Sequence, residues 1–131
     1  MTAHRSNPAA LHGAPGFTSQ IVRATGPLAF ISGQVSQRVD GTWAGIGSHR
    51  EQAEQIARNI DVTLDELGLS RDAIVKETVY VVDYDPALLL DVVGPLRDGR
   101  SEPPASTLIG VHALFAPEAL MEVELVVDLE P

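Results

Sequence analysis

Cysteine is absent from the 131 residues. Disulfides, a thiol nucleophile and thiolate metal sites are therefore excluded, and a reducing compartment is the natural setting. Cations are scarce as well. Nine Lys+Arg stand against 18 Asp+Glu, a formal net charge of −9 at pH 7. A groove that tracks phosphates needs a basic stripe, and docking on an anionic bilayer needs clustered Lys and Arg, so neither nucleic acid nor membrane is an expected partner. No apolar run approaches the ~20 residues of a membrane span. Met1 to Pro15, with His4, Arg5, Asn7 and His12, lacks the apolar stretch of a secretion signal. A cytoplasmic protein is expected.

What is present is enough apolar material for one core: 44% hydrophobic residues with a mean hydropathy of +0.07. Disorder pairs high charge with low hydrophobicity, so a single folded domain is expected. Residues 1–16, rich in Ala, Pro, Gly and His, read as an irregular N-terminal arm, and 17–131 as the domain. Phe17 to Ala24 and Leu28 to Gln34 have strand character, and Val39-Asp40-Gly41 is a hairpin signal leading to a short strand around Thr42 to Gly45. Ser48 to Leu67 is the clearest helix. Ala53, Ile56, Ala57, Ile60, Leu64 and Leu67 recur at spacings of three and four, Ser48 and Glu51 form a capping box, and Gly68 suits the stop. Ile74 to Val82 is a β-branched strand. Pro86 opens a second helix, which Gly94-Pro95 should disturb. Ala105 to Ala113 and Met121 to Leu129 complete the strands. In the last, Met121, Val123, Leu125, Val127 and Leu129 alternate with Glu122, Glu124, Val126 and Asp128. Two helices cover one face of such a sheet, and self-association is the economical cover for the other.

The four histidines show no His-x-x-x-His spacing, so no metal site is expected. Gly45-Ile46-Gly47 before the first helix resembles part of an anion-binding turn, but a turn followed by a cap explains it equally well. No serine lies in a Gly-x-Ser-x-Gly elbow. Glu122 and Glu124 are the most informative carboxylates: two solvated side chains on a sheet face, or a pair of which one orients a water or shuttles a proton in an intersubunit cleft.

Four stretches taken together are specific: Asn7-Pro8 with Gly16-Phe17; Phe30-Ile31-Ser32-Gly33-Gln34; the run from Gln52 to Asp83, including Lys76-Glu77-Thr78-Val79-Tyr80; and Pro103-Pro104-Ala105-Ser106-Thr107 with Met121-Glu122-Val123-Glu124. Together they resemble the RidA/YjgF family of reactive intermediate deaminases, also called the endoribonuclease L-PSP family, over residues 7 to 129. The resemblance implies an α+β, chorismate mutase-like fold: a mixed six-stranded sheet with two helices on one face, three copies packing into a trimeric barrel with ligand clefts between subunits. It implies hydrolysis of enamines and imines to a keto acid and ammonia without a cofactor. Glu122 takes the place of the family's catalytic glutamate, which positions water. Phe17, Ser32, Gly33, Ser106 and Thr107 match ligand-lining positions. Ala105 stands where archetypal members carry the arginine that clamps the substrate carboxylate. Arg97 or Arg100 could replace that clamp, although both read as solvated loop cations. The resemblance therefore supports a diverged deaminase or hydrolase of a small labile metabolite. The alternative is a non-catalytic small-molecule-binding or sensing trimer. Ribonuclease activity is disfavoured by the charge.

Overall fold

The computed structural model describes residues 4–99 and 102–131. The elements run β1 (His4–Ser6), β2 (Ile21–Arg23), β3 (Leu28–Gln34), α1 (His49–Glu66), β4 (Ile74–Val82), α2 (Leu89–Arg97), β5 (Ala105–Val111) and β6 (Met121–Asp128). Among the described residues the fold is α+β with two α-helices and six strands. The strands form two sheets rather than one: an antiparallel pair β1-β2, and a mixed sheet in the order β3-β6-β4-β5, in which only β4 and β5 are parallel. Helix α2 carries the chain over from β4 to β5, as a parallel pair requires.

Helix α1 follows from its ends and its period. Ser48 is the N-cap, its hydroxyl accepting from the Glu51 N–H at 3.2 Å, and Gly68 follows the helix at φ 70°. Its buried face is Gln52, Ala53, Ile56, Ala57, Ile60 and Leu64. That face meets the sheet side formed by Val79, Val81, Met121, Val123, Leu125 and Val127, all 3% exposed or less. Strict alternation then sends Lys76, Thr78 and Tyr80 of β4, and Glu122, Glu124 and Val126 of β6, to the opposite, open face. Phe30 on β3, opposite Val126, and Ile109 on β5, opposite Tyr80, share that face and are 79% and 39% exposed.

Four segments depart from the sequence reading, the first being the strand expected from Phe17 to Ala24, which is confined to Ile21–Arg23 with Phe17 in a turn. The arm is not wholly irregular, because β1 pairs with β2 and Arg5 anchors it through donations to the carbonyls of Asp72, Ile74 and Pro103. The segment around Thr42 is not a strand. It makes a single bridge, Gln37 to Trp43, because Gly41, Gly45 and Gly47 all adopt positive φ and coil it into turns. Proline 95 lies inside α2 without breaking it. It sits near the C-terminal end, where only the Asp91 carbonyl loses its helical partner, and the Arg71 guanidinium binds the Pro95 and Asp98 carbonyls at 2.8 Å each.

Asp128 also departs from its expected place. It is fully buried and closes the turn between β2 and β3, accepting from the Thr25 and Glu130 N–H groups at 2.7 and 2.9 Å. Burial pushes its carboxyl up, but the hydrogen bonds from Thr25, Glu130 and Gly26 together outweigh this and hold it below the usual carboxylate range. A depressed folded-state value gives stability that is present above about pH 4 and is lost as pH falls through the folded value. Asp128→Asn is therefore expected to unfold about 1–3 kcal/mol more easily than wild type at pH 7. The difference should close in acid, as followed by urea unfolding across pH; a gap independent of pH would contradict the assignment.

Candidate functional site

The open face presents two carboxylates in different states. Glu124 is exposed and accepts the Tyr80 hydroxyl at 2.6 Å; that bond, first, then desolvation, and then the negative charges of Glu124 and Glu122 raise the Tyr80 phenol above its ordinary value. Glu122 lies opposite Tyr80 in the register, is half-buried, and makes no hydrogen bond or ion pair among the described residues. It is packed against Gly33. The β3–β6 register shifts between Ile31 and Gln34, and in this bulge a Cβ on Gly33 would stand 2.7 Å from the Glu122 Cδ. Only glycine leaves the carboxyl its place. Ser32 is exposed in the same bulge.

A second group gathers on the helix side of β5. Ser106 pairs with Glu77 in the β4–β5 register, and its hydroxyl donates to Glu77 Oε2 at 2.7 Å. Glu77 is 1% exposed. Arg97 at the end of α2 grips it with both Nη groups, 3.0 Å to Oε1 and 2.5 Å to Oε2, and its Nε donates to the Phe17 carbonyl at 2.6 Å. Arg97 is thus a buried partner of a buried acid, with a side chain only 10% exposed, and the reading of it as a solvated loop cation is corrected. Arg100 lies outside the described residues. Phe17, Leu89, Val93, Arg97, Ser106 and Leu108 line an apolar cavity of about 240 Å³ at this place.

Ala105 and Thr107 point the other way, onto the open face, beside Lys76 and Thr78. Ala105 is level with Lys76, whereas Glu122 is level with Tyr80. Those positions are roughly 13 Å apart along the strands and about 10 Å across them. Within one chain, then, Gly33 and Glu122 are brought together, Phe17 and Ser106 are brought together, and Ala105 with Thr107 form a third place. The sequence reading named Phe17 and Ser106 without the Glu77–Arg97 pair that joins them. The signal was available: Glu77 falls in phase with Val79 and Val81, which puts a carboxylate on the core face, where it needs a cation.

No cluster of three or more His, Asp or Glu residues able to hold a metal occurs among the described residues. His112 is exposed, and His49 meets the Val82 carbonyl at 2.8 Å. No helix among the described residues is long and apolar enough to cross a membrane.

The family described as endoribonuclease L-PSP matches the chain over residues 8–129. The chain belongs to this family. A RutC family protein of Aquifex aeolicus (strain VF5) is 36% identical over 109 residues, 82% of this chain and 85% of that protein. The fold agrees with solved structures. The YyfB protein of the conserved Rid family from Yersinia pestis superposes with a TM-score of 0.90 at 29% identity, covering 98% of this chain and 99% of its own. RidA from the Antarctic bacterium Psychrobacter sp. PAMC 21119 gives 0.67 at 27% identity, with 92% of each chain covered. Membership of the RidA/YjgF family, read from the four sequence stretches, is thereby established.

Proposed function

We propose that this family member is a cofactor-independent hydrolase of a small labile metabolite, an enamine or imine in class, working in clefts between the subunits of a homotrimer. The observation that carries this reading is Glu122: a half-buried carboxylate with no protein partner among the described residues, held beside a glycine on an open sheet face. Glu77 is already neutralised by Arg97 and Glu124 is engaged by Tyr80, so Glu122 is the open-face carboxylate left to act on water. Water adds to the carbon of the C=N bond while Glu122 takes its proton. That proton passes to nitrogen to give a carbinolamine; its hydroxyl proton then follows to the same nitrogen, again by way of Glu122, as the C–N bond breaks and ammonia leaves a carbonyl product.

The trimer is supported by two features. The open face carries Leu28, Phe30 and Ile109 exposed in a single chain. The residues matched to ligand positions also fall in three separate places on one subunit. We assign Ser32, Gly33 and Glu122 to one wall of a cleft, and Ala105 and Thr107 of a neighbouring copy to the other; Phe17 and Ser106, on the helix side of the same edge strand, line the separate apolar cavity.

A second reading, a non-catalytic binding or sensing trimer, is favoured by one observation: Ala105 offers no donor, and Arg97 is turned to Glu77 instead of standing in for it. Ammonia release from a panel of imines by wild type and Glu122→Gln separates the two. Release that depends on Glu122 supports the hydrolase; equal rates in both proteins overturn it.

A further inference from the structure

Lys76 is the only lysine in the chain. It projects from the open face of β4, in register with Ala105, and its Nζ donates to the Thr107 hydroxyl at 2.8 Å. That acceptor is neutral, and no carboxylate lies within ion-pair distance of Lys76 among the described residues. Arg5, Arg50, Arg71 and Arg97, in contrast, each face an acid. In a chain of net charge −9, Lys76 is a positive charge without an ion pair among the described residues. Its register neighbour on β5, Ala105, carries a single methyl group. A cavity of about 120 Å³ lies alongside, bounded by Lys76, Thr78, Phe30, Glu124 and Val126, enough for a molecule of a few heavy atoms. Glu124 on its far wall is bonded to the Tyr80 hydroxyl.

We infer that Lys76, with Thr107 beside it, holds the carboxylate of a small organic anion on the open face, supplying from the neighbouring strand the positive charge that Ala105 does not. A lysine ammonium is a compact charge with three rotatable donors and lacks the planar fork of arginine. It selects for negative charge while tolerating varied shape around the carboxylate. Thr78, which lines the cavity, adds a hydroxyl that can turn toward the bound oxygens. The inference rests on the open face being the ligand-binding face, as proposed above.

Calorimetric titration of the full chain with pyruvate, and with its neutral amide of equal size, tests it. Wild type is expected to prefer pyruvate. Lys76→Met is expected to weaken pyruvate binding roughly ten- to a hundredfold and to leave the amide unchanged. Lys76→Arg should keep the preference for pyruvate, and adding Ala105→Arg to Lys76→Met should restore it. Equal affinity of wild type and Lys76→Met for pyruvate, no preference of wild type for pyruvate over the amide, or no binding of either would overturn the inference. Glu122-dependent ammonia release combined with pyruvate affinity indifferent to Lys76 would remove Lys76 and leave the hydrolase standing. Lys76-dependent binding with no Glu122-dependent release would do the reverse.

Discussion

Replacing Glu122 with glutamine is expected to lower the turnover of a competent imine by about 10²- to 10⁴-fold while leaving the fold and the binding of product-like carboxylates unchanged. Glutamine matches the shape of the side chain, so Gly33 still accommodates it, and the buried face of β6 (Met121, Val123, Leu125 and Val127) is untouched. What is lost is the capacity to take a proton from water as it adds to the C=N carbon. The loss should therefore appear in kcat, with KM nearly unchanged. Steady-state ammonia release with a thermal melt on the same samples checks both halves. A variant that loses activity together with stability would point to a structural role instead.

Truncating Arg97 to methionine is expected to cost about 3–5 kcal/mol of stability, a loss of very roughly 10–20 °C in Tm for a chain of this size. Glu77 is 1% exposed, and its two oxygens are served by the Arg97 fork and the Ser106 hydroxyl. Without the cation, a carboxylate is left in the core with only Ser106, and the Phe17 carbonyl loses its donor from α2. The double variant Glu77→Leu/Arg97→Met removes both charges together and is expected to recover most of the loss, since a buried pair is seldom worth much against apolar packing. Thermal unfolding of the two proteins measures the coupling. A single variant less than about 1 kcal/mol below wild type would mean that the pair is solvated.

Elements whose determinants are local were legible from sequence. Strands β3 and β4 lie where their composition put them, and α1 falls between its Ser48 cap and Gly68 because cap, apolar period and stop are all written within one stretch. The strand β1 was not legible, because Arg5 is fixed by carbonyls 67 to 98 residues away and nothing near it in the chain announces them. Around Thr42 and Trp43 the side chains favour a strand, but three glycines at positive φ decide for turns. The candidate site divides in the same way. Alternation in β6 drew attention to Glu122 and Glu124 alike, and the family resemblance is what picked out Glu122 and Gly33; the structure adds that these two touch. Arg97 was misread because its partner lies 20 residues earlier on another element. The role inferred for Lys76 depends on a parallel register between β4 and β5 that no local pattern encodes.

In the proposed function the working face is the open face of the sheet, and a second copy completes it. Phe30→Asp tests this most directly, because Phe30 is 79% exposed in the single chain and contributes nothing to its core. Sedimentation velocity and ammonia release are measured on the same preparation. Wild type is expected as one species of three 14.0 kDa chains, and Phe30→Asp as a folded single chain without turnover. A folded single chain with undiminished turnover would contradict the account.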